Sequence, residues 1–139
     1  MKPLKLYIIE VLSSVYDQIK SAVDTQIFID NRPTAIPEQM NDFIVISLPV
    51  GLQSQGILQD GKLEIEIVVR HRKSNAQPNL PRLQAMTDTI TAMFPMKSSD
   101  GRWCATRPTI AIRGNDNTGF SIWNIRADIV VNTTDRLTT

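Results

Sequence analysis

The sequence predicts a single α+β domain over residues 1–139, built as two layers: a mostly antiparallel sheet of about four to six strands with two helices packed on one face. Three observations predict it. Two stretches carry apolar residues at helical spacing, one at the start and one in the middle of the chain. The remaining apolar residues fall in short runs or in strict alternation, the two patterns of strands. Turn-forming residues separate most of those runs at short intervals, and short connections join antiparallel neighbours.

Residues 3–23 read as an amphipathic helix. Leu4, Ile8, Val11, Leu12, Val15, Ile19, Ala22 and Val23 fall in one arc of about 100–120°, with Glu10, Ser13, Asp17, Lys20 and Ser21 on the other side. Pro3 suits the first turn, where its missing N–H costs nothing. Residues 25–30 form a short strand, ended by Asn31-Arg32-Pro33, and a loop with Pro33 and Pro37 runs to Asn41. Phe43–Leu48 is apolar on both faces, the pattern of a strand in the middle of a sheet, and Pro49 and Gly51 close it.

Asp60-Gly61 reads as a two-residue hairpin turn, joining a polar arm at 52–58 to a strand over 62–70. In that strand Leu63, Ile65, Ile67 and Val69 share one face, and Glu64, Glu66, Val68 and Arg70 share the other. A polar loop, 71–79, leads to a second helix over 80–94, capped by Asn79 and stopped by Pro95. Its stripe is Leu83, Met86, Thr87, Ile90, Met93 and Phe94. After a turn at 97–101, strand 102–113 carries Trp103, Ile110 and Ile112, and Pro108 demands an edge position or a bend. Residues 114–119 form a turn. Strand 120–131 then alternates Trp123, Ile125, Ala127, Ile129 and Val131 against Asn124, Arg126 and Asp128, and 132–139 reads as a polar tail.

Composition narrows the function classes. Hydrophobic residues are 42% and charged residues 21%, both ordinary for a folded globular domain, so wholesale disorder is not expected. A net charge of +1 lacks the basic excess of a free-standing nucleic-acid binder. The lone Cys104 has no internal disulfide partner, which fits a reducing compartment. Glu10, Asp17 and Lys20 interrupt the first apolar stretch, so it reads neither as a signal peptide nor as a membrane span, and a soluble intracellular protein is expected. On that reading the sequon at Asn132 is a chance match.

Catalytic signatures are missing. Gly51–Gly56 lacks the Lys-Ser/Thr of a phosphate loop and the spacing of a nucleophile elbow. One Cys and one His do not make a zinc site. Cys104 beside Trp103 reads as an ordinary strand thiol, and His71 stands among Arg70, Arg72 and Lys73 with no acid to orient it. Asn115-Asp116-Asn117 offers oxygen ligands but reads as turn chemistry. No catalytic residue, cofactor or metal is therefore expected.

Two clusters remain as binding candidates. Glu64, Glu66, Arg126 and Asp128 share a face if their strands are neighbours, either as a solvated cross-strand ladder or as a subunit interface. Arg70, Arg72 and Lys73 concentrate positive charge beside one loop, either merely solvated or as a contact for a partner.

The order of elements resembles the small tail terminator or tail completion proteins of tailed phages. The resemblance runs from the amphipathic helix through 32-RPTAIP-37, 43-FIVISLPVG-51, 62-KLEIEIVVRHR-72 and a single helix to a final hairpin ending in 123-WNIRADIVV-131. It covers nearly the whole chain as the order and lengths of elements, with no diagnostic motif. It implies a homo-oligomeric ring, often of six subunits, that caps the tail tube and joins it to the head. The expected partners are then further copies of the chain, tail-tube and head-connector proteins, and DNA passing nearby, with no membrane. The expected locations are the host cytoplasm and the virion. A neutral chain without a clear ring-forming charged loop departs from that picture, and the alternative is a small ligand- or peptide-binding module without catalysis.

Overall fold

The computed structural model describes residues 4–49, 52–55, 58–115 and 119–132. Within them the fold is α+β: helix α1 (Leu4–Ala22), strands β1 (Gln26–Ile29), β2 (Asp42–Ser47), β3 (Leu52–Gln55) and β4 (Leu58–Arg70), helix α2 (Leu80–Thr91), and strands β5 (Met96–Lys97), β6 (Trp103–Asn115) and β7 (Phe120–Asn132). Six strands run in the order β1-β2-β4-β7-β6-β5, and β3 pairs with the first part of β4.

The amphipathic stripe of α1 has its expected consequence: Val11, Leu12, Val15 and Ile19 are buried. They join Leu83, Met86 and Ile90 of α2 and the inward row of β4, Leu63, Ile65, Ile67 and Val69, in one core. Each such side chain contributes roughly 1.5–3 kcal/mol on leaving water. Helix α2 starts where Asn79 Oδ1 accepts the Arg82 N–H at 3.3 Å, satisfying one of the donors a helix start leaves free. It ends at Thr91, three residues short of expectation, although Met93 and Phe94 still pack on the core.

The long seam is β4 against β7, paired antiparallel from Leu58↔Asn132 to Arg70↔Phe120. The sheet curls. Helix α1 packs beside β1 and β2, yet its Gln18 Nε2 donates to the Lys97 carbonyl of β5, at the other end of the strand order, at 2.8 Å.

One expectation is corrected, and the sheet adds a detail of its own. Five of its pairings are antiparallel and one is parallel: β1 runs parallel to β2, with Ile27 opposite Ile44. Six strands form its main path, and β3 pairs with β4 beside them. A parallel pair needs a crossover, and residues 30–41 supply it. That crossover fills part of the second face, so the face is not wholly polar. Ile36 and Met40 pack with Phe28 against Phe43, Val45, Val68, Phe120 and Ile122. Phe43 meets the rings of Phe28 and Phe120 edge-on, with centroids 5.7 and 5.9 Å away. This is why β2 is apolar on both faces.

The expectation that fails is Asp60-Gly61, which is not a turn. Both residues lie inside β4, opposite Gln53 and Leu52, in a ladder that runs on to Gln55↔Leu58. Cross-strand pairing on both sides of β4 overrides the local turn preference of the dipeptide. Arg70 closes β4, where the strand over 62–70 is expected to end. The expectation for Pro108 holds in both forms: β6 shifts register between Thr106 and Thr109, and β5 covers only Cys104 and Ala105 of its outer side.

Candidate functional site

Because β4 and β7 are neighbours, Glu64, Glu66, Arg126 and Asp128 come together on the face away from the helices. Glu64 stands opposite Arg126, accepting its Nη2 at 2.9 Å and Asn124 Nδ2 at 2.7 Å. Lys62 pairs with Asp128 directly across the ladder, and Arg107 approaches the same carboxylate at 3.9 Å. Glu66 accepts Arg32 from the crossover through both Nε and Nη2, each at 3.3 Å. The cross-strand ladder is thus present, and each of its acids is engaged within the chain. Partly exposed pairs of this kind contribute roughly 0.2–1 kcal/mol apiece. An open hollow of about 470 Å³ lies over this network, lined by Asp60, Lys62, Arg107 and Asp128.

The three basic residues separate into two roles. Arg70 is half-buried; its Nη2 donates to the carbonyls of Pro37 and Met40 at 3.2 and 3.1 Å, and its guanidinium lies 4.5 Å from the centre of the Phe120 ring. It therefore pins the crossover to the sheet instead of facing a partner. Arg72 and Lys73 are exposed on the 71–79 loop. They border a groove of about 390 Å³ with Asn79, Arg82 and Asp42. The acid there is already taken: Arg82 Nε donates to Asp42 at 2.8 Å, and its Nη2 reaches Thr25 at 3.1 Å.

The thiol and the imidazole are far apart in the fold. Cys104 sits opposite Val130, near one end of β7, while the His71 N–H donates to the Gly119 carbonyl at the other end, and His71 Nε2 lies 3.1 Å from Ser121 Oγ. No group of three or more His, Cys, Asp or Glu side chains suited to a metal occurs among the described residues. Asp116 and Asn117 of the acidic turn, and Thr133 and Thr134 of the sequon, lie outside them. No helix among the described residues is long and apolar enough to cross a membrane, which leaves strands unaddressed.

Sequence reasoning missed the arginines that complete these networks. Arg32, Arg82 and Arg107 meet acids 34, 40 and 21 positions away, separations without a local signal. It also missed where the sheet stays open. Beyond Ala105, β6 has no outer strand among the described residues, and Ile110 and Ile112 there are 50% and 68% exposed. Their partners Ile125 and Trp123 belong to the helix-side core or pack against it, so both isoleucines sit on that face, past the cover of the helices. At the other end of the order, β1 is also an edge, with Ile29 42% exposed. No protein-family model matches the chain, and no curated protein matches it in sequence.

Proposed function

We propose that the chain is a structural virion-assembly protein of a tailed phage or prophage, forming a homo-oligomeric ring that caps the tail tube and joins tail to head. The observation that carries this reading is a sheet whose helix face is packed within the chain except at Ile110 and Ile112, and whose two edges, among the described residues, stay open. Open edges are usually covered or paired, and a ring of copies pairs them without leaving an end. The order of elements supports the same reading, from a leading amphipathic helix through a two-faced apolar strand and a single second helix to a long closing hairpin. Arg72 and Lys73 would then repeat around one rim, where they would meet an acidic tube surface or the phosphates of passing DNA, in the host cytoplasm and in the virion.

A second reading has its own support. The exposed Ile110 and Ile112 on an open strand also suit an extended peptide that adds to the sheet edge, in a module working as monomer or dimer. Light scattering across a concentration series, with and without a phage tail-tube protein, separates the two. Ring-sized species, six subunits being expected, support the assembly reading. A strict monomer at every concentration, indifferent to the tube protein, overturns it.

A further inference from the structure

We infer that copies of this chain associate head to tail, the open edge of β6 in one copy receiving the open edge of β1 in the next as an antiparallel neighbour. This rests on the ring reading and names the surfaces that make the contact.

Three observations on the two edges argue for it. The first is length. The register shifts in β6 between Thr106 and Thr109 and again between Ile112 and Gly114, leaving Thr109–Ile112 as a regular stretch between the two irregularities. Strand β1, Gln26–Ile29, is equally short, and with Ile27 opposite Ile110 it overlaps that stretch as Gln26–Phe28 against Thr109–Ala111. The second is the apolar pattern. On β1, Ile27 and Ile29 stand beside Ile44 and Ile46 of the helix-side core; on β6, Ile110 and Ile112 occupy the same face of the sheet. Setting Ile27 opposite Ile110 keeps both faces in register and covers Ile110, with Ile112 meeting Thr25 just before β1 begins. A slip of one residue would turn every side chain to the wrong face.

The third observation is charge, and it selects the partner. The β6 edge carries Arg107, whose side chain is 84% exposed, and the strand has no acid from there to its end. Strand β1 is flanked by Asp24 and Asp30, and both are exposed. Pairing β6 with the β6 of a second copy would set arginine against arginine, and pairing β1 with β1 would set acid against acid. Only the mixed pairing brings the acids flanking β1 to an edge whose charge is basic. Strand direction agrees: from the pairings within the sheet β1 and β6 run in opposite senses, so a copy added side by side meets its neighbour antiparallel. A mixed contact is heterologous, the kind that generates rings rather than two-fold dimers.

The test uses disulfide capture. In this register Gln26 faces Ala111, and both are exposed. Opposed residues of an antiparallel pair have Cα atoms about 4.5–5.5 Å apart, within disulfide reach. The variants are Gln26→Cys and Ala111→Cys, each made in Cys104→Ser and each checked for an unchanged melting curve. Mixed and mildly oxidised, they should give a linked dimer in severalfold excess over either variant alone, and the double variant should give a ladder of linked multimers. Linkage no greater in the mixture than in Ala111→Cys alone would overturn the inference and point to a two-fold or non-specific contact. The mass of the unmodified chain is measured in parallel. Ring-sized species without capture remove only this pairing, whereas a monomer without capture removes both it and the ring.

Discussion

Val15 is fully buried at the centre of the α1 stripe, so its neighbours decide what a change there costs. Val15→Asp places an unpaired carboxylate among Ile and Leu side chains and should lower stability by about 3–5 kcal/mol, a large share of a domain's total. Chemical denaturation checks it; a near-normal midpoint would mean that this is not the core. Arg70 is the residue whose role changed most between sequence and structure. The pattern 70-RHRK-73 reads as one basic cluster, because charge is visible in a sequence and hydrogen-bond acceptors 30 and 33 residues away are not. Arg70→Met should therefore destabilise the fold by about 1–3 kcal/mol, through two charge-assisted hydrogen bonds and the Phe120 contact. Arg72→Ala and Lys73→Ala should each stay within about 0.5 kcal/mol. Equal effects at all three positions in thermal melts would restore the single cluster.

Among the elements, helices and strand faces were legible, because periodicity records which side of an element meets the core. Pairing partners were not. The Asp60-Gly61 dipeptide shows the limit: its turn preference is local and weak beside two flanking ladders. Asn79 shows the reverse, a local signal with its expected geometry, and Asn79→Ala should weaken α2 by roughly 1 kcal/mol. Hydrogen exchange in the first turn of the helix would report it; unchanged protection there would remove the cap's role. The turn before β6 carries a pH dependence. Ser98 Oγ accepts the N–H groups of Arg102 and Trp103 at 2.7 and 3.1 Å. The Asp100 carboxyl is held below its ordinary 3.8 first by a hydrogen bond from the Ser98 side chain and then by the Arg102 N–H. A lowered carboxyl stabilises the turn where it is ionised. The contribution is complete above the ordinary value and is lost as pH falls through the lower folded one. Carbon-detected NMR titration should find the Asp100 midpoint below that of a model peptide; a midpoint at or above it contradicts the geometry.

At the scale of the whole molecule, the charged face is largely self-satisfied, so long-range attraction is left to the few cations without an acid close by. If the proposed ring reading holds, Arg72→Ala with Lys73→Ala should reduce the salt sensitivity of binding to a tail tube, and any affinity for duplex DNA, while leaving the oligomer mass unchanged. Binding that keeps its full salt slope in the double variant would place the attraction elsewhere. The β4–β7 seam carries one more consequence, which concerns synthesis rather than assembly. Its partners, residues 58–70 and 120–132, are made at opposite ends of a long stretch of translation. Until β7 leaves the ribosome, β4 lacks one neighbour along its entire length, and the inward row from Leu63 to Val69 stays incompletely covered. The domain therefore cannot fold in instalments. A nascent chain arrested before Phe120 should be digested as readily as an unfolded polypeptide, while one released through Asn132 should resist, so the order of synthesis makes the final strand the one that closes the core.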